Sequence, residues 1–355
     1  MRLRAYAFDL PLRHRFTISR GSLDVQPTLI VELADDEGRR GFGEATTNSY
    51  YGATIENMTT ALETVRELVE GDSLDDPAAL WDRVHAELNE QPFALCALDQ
   101  AAHDLWGKRR GQQVWKLWGL TTEQMPLTNY TIGIDSVAKM VEKMNEFPGW
   151  PVYKIKLGTD DDLRIVRELR QHTASAFRVD ANCGWTVEQT LAIAPELKSL
   201  NVEFIEQPLP ADHWDGMRRL FVESALPLIA DESCQLPADV DRCHGCFHGV
   251  NIKLVKCGGL TPARRMIERA RELKMQVMVG CMTESSVGIS AIAQLLPLLD
   301  YVDMDGALLL ADDIASGVTI DNGRAVFPNE PGCGVRLLGD QLPGGEWPRG
   351  GRPVL

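Results

Sequence analysis

From about residue 126 the chain keeps a beat. Short runs rich in β-branched and aromatic residues occur at 127–132, 152–157, 177–180, 202–206, 228–231, 250–254, 276–281 and 301–305. Between them lie amphipathic stretches such as 137–147, 163–172, 187–200, 262–273 and 287–299. Each is long enough for one crossover helix, the connection that parallel neighbours require. Eight strands alternating with helices fold as a doubly wound open sheet or as a closed barrel, and periodicity alone does not choose. The strand ends help. All runs after the first finish on or beside a reactive side chain, at Lys156, Asp180, Glu206, Asp231, Lys253, Cys281 and Asp303, spaced by 24, 26, 25, 22, 28 and 22 residues. One such charge only marks a strand leaving the core. A ring of them in phase is what a barrel produces, because its site is assembled at the C-terminal mouth where all strands converge.

Residues 1–125 read differently, as three antiparallel strands (3–9, 28–33, 41–45) followed by helical spacing at 55–69, 78–88 and 93–108. That segregated order is α+β. Segments 15–24 and 46–52 lack regular pattern and are expected to be mobile loops. A composition of 44% hydrophobic and 25% charged residues over 355 positions supports a sizeable core and excludes intrinsic disorder. Lys and Arg number 36 against 51 Asp and Glu, a net charge of −15 that repels phosphate backbones and anionic lipid. Nucleic acid and membrane are therefore not expected as partners. No run approaches the roughly 20 apolar residues of a spanning helix, and residues 1–10 offer no apolar signal core, so the expected location is cytoplasmic. Eight cysteines scattered over this length are no disulfide framework, and reduced thiols are expected. Cys243-His244-Gly245-Cys246 has the look of half a zinc knuckle, but no second CxxC exists to complete four ligands.

Asp180, Glu206 and Asp231 end three consecutive runs. Adjacent strands lie roughly 4.8 Å apart, so three carboxylates at one level repel unless a cation sits among them. Oxygen ligands without Cys or His favour Mg²⁺, which keeps positions open for substrate oxygens. Lys154 and Lys156 are two apart and share one face of their strand, and Lys253 ends the strand just beyond Asp231. The order along the barrel is thus base, three ligands, base. Lysines in such a mouth can also merely neutralise acids or hold an anion. With a divalent metal on both carboxylate oxygens, however, loss of the proton from the neighbouring carbon gives a stabilised enediolate. A neutral lysine then takes the α-proton, with Lys154 lowering the proton affinity of Lys156, and the other lysine returns a proton to the opposite face. The outcome is inversion.

These residues resemble the enolase superfamily in its muconate-lactonizing-type subgroup. Lys154-Ile155-Lys156 is similar to the subgroup's KxK, the three acids to its metal ligands, and Asn251-Ile252-Lys253-Leu254 leading to Gly258-Gly259 to its second-base segment. The likeness extends to Ala97-Leu98-Asp99-Gln100-Ala101-Ala102 and Pro331-Gly332-Cys333-Gly334-Val335, so it covers nearly the whole chain. It implies an α/β fold, a (β/α)7β modified TIM barrel at 126–306, with an α+β capping domain of residues 1–125 completed by the tail 307–355. It also implies Mg²⁺, and Thr131, Lys154 and Cys281 as substrate contacts; barrels of this kind commonly form homo-oligomers.

The eighth run separates the subgroup's chemistries. Asp303-Met304-Asp305 places two carboxylates outside the metal shell, which require a cationic ligand. A free α-ammonium meets that need, and the pair resembles the DxD motif of dipeptide epimerases of the L-Ala-D/L-Glu epimerase type. The expected activity is a Mg²⁺-dependent isomerase that epimerises the C-terminal residue of a dipeptide, with Lys156 and Lys253 as bases and Asp303 and Asp305 holding the amine. The alternatives are an N-acylamino acid racemase, an o-succinylbenzoate synthase or a cycloisomerase on the same lysines and metal, or a catalytically silent binder, for which an intact base pair would be idle. By the same resemblance the side-chain pockets come from 15–24 and 46–52, where Arg20 suits an acidic side chain, Asp24 a basic one, and Tyr50 and Tyr51 an apolar one.

Overall fold

Three long strands open the chain: β1 (Arg2–Ile18), β2 (Gly21–Ala34) and β3 (Arg40–Thr46) form an antiparallel sheet, extended beyond β1 by Arg352–Pro353. The structure, a computed structural model, describes residues 1–18, 21–338 and 351–355. Five helices follow: α1 (Ile55–Thr64), α2 (Arg66–Glu70), α3 (Pro77–Leu88), α4 (Pro92–Arg110) and α5 (Val114–Leu117). Proline at the first turn starts α4 and left-handed Gly111 ends it. The helix lies directly on β3, where a Cβ at Gly43 would stand 2.0 Å from the Ala97 carbonyl oxygen and one at Gly41 2.3 Å from that of Ala101.

The beat from residue 126 becomes a single parallel sheet of eight strands whose spatial order is their sequence order. They are β4 (Tyr130–Ile132), β5 (Val152–Lys156), β6 (Ala176–Asp180), β7 (Val202–Glu206), β8 (Leu228–Ala230), β9 (Gly249–Lys253), β10 (Gln276–Gly280) and β11 (Tyr301–Asp303). A parallel bridge between Thr128 and Val302 joins the last strand to the first, which selects the barrel over the open sheet. The crossovers carry α6 (Val137–Met144), α7 (Asp162–Arg170), α8 (Val187–Ser199), α9 (Trp214–Glu223), α10 (Asp239–Cys243), α11 (Leu254–Cys257), α12 (Leu260–Glu272) and α13 (Ser286–Ala293). Because α11 and α12 share one crossover, this is a (β/α)7β barrel.

Register puts the strand ends at one level. Lys156 pairs with Asp180 and Asp180 with Glu206, while Gly280 pairs with both Lys253 and Asp303. Two residues earlier, where side chains return to the same face, Phe204, Ile229 and Met278 pack with Tyr301 into a separate apolar plug. The buried guanidinium of Arg178 lies over the rings of Phe204 and Tyr301. The barrel is thus closed below its mouth. No helix among the described residues is long and apolar enough to cross a membrane.

Three sequence expectations need correction. Segment 15–24 is not irregular: β1 and β2 continue through it as a hairpin, pairing Phe16 with Leu23 and Ile18 with Gly21, after a register irregularity between Pro11 and Phe16 that hides the alternation. Ser19 and Arg20, between them, lie outside the described residues, as do residues 339–350 of the tail. The helical run 55–69 breaks at Val65 into α1 and α2. The last strand stops at Asp303, so Asp305 sits not on it but at the start of a 3-10 turn, Gly306–Leu309.

Candidate active site

One cavity of about 520 Å³ opens at the C-terminal mouth, and Thr131, Lys156, Lys253, Cys281, Asp303 and Asp305 all reach its wall. Its outer side is formed by Ile18 and Leu23 of the hairpin and by Tyr50 and Tyr51 after β3, so both segments singled out in the sequence meet here. Asp24 is exposed and is not part of that wall.

The acid trio comes together as the register requires. One carboxylate oxygen from each of Asp180, Glu206 and Asp231 lies within 4.8 Å of the others, and all three residues are buried. Each is held by partners of its own. Lys156 donates to Asp180 Oδ2 at 2.6 Å, Asn251 to Glu206 Oε1 at 2.8 Å and Lys253 to Asp231 Oδ2 at 2.8 Å. Glu206 Oε2 lies 2.8 Å from Lys154 Nζ but accepts no hydrogen bond of good geometry. Burial, then the Asp180 charge, pushes the Glu206 carboxyl up to about 7. Burial would raise Asp180 and Asp231 as well, but Lys156 and Lys154 outweigh it at the first and Lys253 and Lys256 at the second, holding both below the usual carboxylate range. Three convergent buried carboxylates, one with an oxygen short of a hydrogen bond, are a hard oxygen donor set that fits Mg²⁺.

The two lysines of β5 differ. Lys156 reaches the cavity, whereas Lys154 is fully buried beneath it, with Asp303 Oδ2 at 2.8 Å, Glu206 Oε2 at 2.8 Å and Asp180 Oδ2 at 3.2 Å. Burial would depress Lys154, but these acids, Asp303 first, hold its ammonium well above the ordinary lysine value.

This clasp corrects one step of the sequence argument, in which Asp303 and Asp305 were both without a cation. Asp303 has Lys154, and also accepts from Asn129 Nδ2 at 2.7 Å; against its burial, Lys154 and Lys156 keep it ionised. Asp305 instead accepts from Thr131, through the backbone N–H at 2.5 Å and Oγ1 at 3.2 Å, with no ion pair to a lysine among the described residues. Burial and the neighbouring Asp303 charge push its carboxyl up to about 8. Beside the pair, burial and the two aspartates raise the Cys281 thiol, so it stands in the wall as S–H rather than thiolate.

Lys256, Asn251, Asn129 and Glu44 enter the site's support without having been singled out as site residues by sequence. Lys256 was legible only as a second lysine three after Lys253. Its burial against Asp231 depends on the turn that α11 makes. Glu44, on β3, accepts from Ser285 N, Ser285 Oγ and Gly288 N behind the seventh strand. Cys243 and Cys246 belong to neither group of described residues close enough to share an ion; Cys243 Sγ instead lies 3.7 Å from the Ser233 carbonyl oxygen.

Comparison with known proteins places this geometry. Residues 4–119 match the mandelate racemase/muconate lactonizing enzyme N-terminal domain, and residues 136–341 match the enolase C-terminal domain-like family. The chain is 57% identical over 338 residues to the L-Ala-D/L-amino acid epimerase of Flavobacterium johnsoniae, covering 95% of this chain and 100% of that one. Among solved structures, a substrate-liganded L-Ala-D/L-Glu epimerase from Bacillus subtilis superposes with a TM-score of 0.90 at 26% identity, over 94% of this chain and 98% of that one. A dipeptide epimerase from Methylococcus capsulatus, complexed with Mg and L-Arg-D-Lys, does so with a TM-score of 0.87 at 32% identity, again over 94% and 98%. With both halves matched and a full-length relative at this identity, the chain belongs to the mandelate racemase/muconate lactonizing enzyme family of the enolase superfamily.

Proposed function

We propose that the protein is a Mg²⁺-dependent dipeptide epimerase that inverts the α-carbon of the C-terminal residue by 1,1-proton transfer. One observation carries the reading: the lysines that reach the cavity, Lys156 and Lys253, stand on β5 and β9, four strands apart in a ring of eight, with the acid trio on the strands between them. Groups placed so address opposite faces of a carbon lying between them, the geometry of a two-base inversion. The names and bound dipeptides of the relatives support the same class.

Asp180, Glu206 and Asp231 would hold Mg²⁺, which supplies stabilisation for the charge that builds on a substrate carboxylate as the adjacent proton leaves. The chain does the rest. Asp303 and Asp305 offer the substrate ammonium one fixed negative charge and one that forms as Asp305 releases its proton to solvent, with Thr131 orienting the latter. Lys156 or Lys253, as the neutral amine, removes the α-proton from one face, and the other, as the ammonium, returns one to the opposite face. Lys154 is clasped by three acids below the cavity, so it fixes the floor and Asp303 rather than serving as a base. Eight cysteines, none in a disulfide among the described residues and seven of them buried, support a reducing compartment, the cytoplasm.

The test is exchange. Incubated with Mg²⁺ and a dipeptide library in D₂O, the enzyme should place deuterium at the C-terminal α-carbon and yield both epimers by chiral chromatography. Exchange confined to N-succinyl amino acids would move the assignment to the racemases, and no exchange with any dipeptide would overturn it.

A further inference from the structure

Lys256 has the most restricted ammonium in the site. It lies on α11, the single turn after β9, and is 2% exposed. Its Nζ donates to Asp231 Oδ1 at 2.7 Å, the Asp231 carbonyl at 2.5 Å, the Cys234 carbonyl at 2.9 Å and the Asn251 carbonyl at 3.3 Å. An ammonium has three protons. Four oxygens therefore saturate it, and three of them are backbone, fixed to β9 and to the loop after β8. Asp231 thus carries two lysines of unequal freedom. Lys253 holds Oδ2 by one contact at 2.8 Å and reaches the cavity, whereas Lys256 holds Oδ1 and is tied to the backbone on every other side.

We propose that Lys256 is a positioning residue that anchors Asp231 through Oδ1, leaving Oδ2 as the oxygen Lys253 can vacate, so that the ligand stays oriented and paired whenever Lys253 turns to the substrate. The division of labour follows from the coordination. Before the ion arrives, a lysine serving both as counter-ion and as base would leave a buried carboxylate unpaired each time it moved, and such a group is costly; with the ion in place, the fixed Oδ1 still sets the ligand's orientation. With a second ammonium locked on the other oxygen, the departure of Lys253 leaves Asp231 still paired. The chain supplies that ammonium from the turn that ends in Gly258 and Gly259, whose φ of +95° and +120° suit residues without a Cβ.

The inference rests on the metal reading of the acid trio, and the experiment separates the two. The protein, stripped with EDTA, is compared with Lys256→Met and Lys256→Gln by calorimetric Mg²⁺ titration, with thermal melts for folding. Loss of an outer-shell partner of a ligand typically costs about 10–100-fold in metal affinity, and that weakening is expected, with kcat recovering at saturating Mg²⁺. Lys253→Met should instead abolish epimerisation at any Mg²⁺ concentration. Folded Lys256 variants that bind Mg²⁺ as tightly as the parent overturn the proposal, while a parent that binds no Mg²⁺ overturns the metal reading with it. Should neither variant fold, amine-reactive labelling of the parent decides by mass spectrometry. Mg²⁺ should raise modification of Lys253 and leave Lys256 unmodified; labelling of Lys256 on Mg²⁺ addition, or no change at Lys253, contradicts the anchor.

Discussion

Side chains of one kind take different duties at this mouth, and burial decides which. Asp303 and Asp305 are two residues apart, yet Lys154 keeps the first ionised while burial and its partner push the second up to about 8. An incoming ammonium gives Asp305 a cation at close range, so this carboxyl should matter for binding amines more than for chemistry. Asp305→Asn keeps the shape and removes the charge. It should raise KM for free-amine dipeptides by about 10–100-fold, the worth of a charge-assisted hydrogen bond, and leave their N-acetyl counterparts nearly unchanged, as steady-state kinetics on matched pairs would show. Glu284 makes a different case. It accepts from Met282 N at 2.7 Å through Oε1, while its buried Oε2 has no hydrogen-bond partner among the described residues, and burial followed by the Glu44 charge pushes it up to about 8. Its ordinary value is 4.5, so between pH 4.5 and 8 the folded state holds a proton that the unfolded state has lost. Stability from this group is therefore full below pH 4.5 and falls as pH rises to 8. Glu284→Gln cannot ionise, so it should gain on the order of 1 kcal/mol or more over the parent at pH 8 and little at pH 4.5. Urea melts at the two pH values check this, and an equal shift at both would contradict it.

Where helices begin, the cap supplies what the barrel lacks. Helix α12 follows Gly259 with no side-chain cap of its own, and its Thr261 N and Oγ1 donate instead to the two oxygens of Asp99, each at 2.8 Å, from α4 in the cap. Carboxylates belong at helix N-termini, where the unpaired N–H groups and the dipole favour them. The same contact explains Gly259: its φ is +120°, and a Cβ there would lie 2.4 Å from Asp99 Oδ2. Gly259→Ala should cost about 2 kcal/mol or more, from backbone strain and displacement of the carboxylate. Asp99→Ala should cost about 1–3 kcal/mol, and the double variant less than the sum, because both act on one contact. Urea denaturation of the three proteins measures this, and additive costs would contradict a shared contact. Such pairings mark the boundary of what sequence discloses. The barrel strands were legible because each is a short β-rich run and all after the first end on or beside a reactive side chain, and Lys156, Asp180 and Glu206 fall into register as their spacing implied. The hairpin through 15–24 was not, since a register irregularity breaks its alternation and its second strand begins with five exposed residues, 21–25. Nor was the Lys154–Asp303 pair, which joins residues 149 apart in sequence and exists only because the last strand closes on the first.

Across the whole molecule, cap and barrel share one interior. A single apolar cluster includes Leu3 and Leu29 of the cap sheet, Leu95 and Ala101 of α4, Val179 and Ile252 of the barrel strands, and Val335 and Leu337 near the C-terminus. Polar ties follow the same path: Asp104 on α4 accepts from Phe42 N on β3 and Cys333 N in the tail, and Trp81 Nε1 donates to the Gly258 carbonyl at 2.9 Å. The mouth is also roofed by cap residues, Tyr50 and Tyr51 among them, so a barrel without its cap would lose a wall of the cavity as well as part of its core. Contacts this continuous should make the two layers unfold together, because neither can leave without exposing apolar surface of the other. Calorimetry of the parent should therefore give one endotherm whose van't Hoff and calorimetric enthalpies agree. Asp99→Ala, which removes the carboxylate tie from α4 to α12, should move that endotherm down by roughly 1–4 °C as a unit. A second, earlier peak appearing in the variant would mean that the cap melts on its own and that the shared core is not what couples it to the chemistry at the mouth.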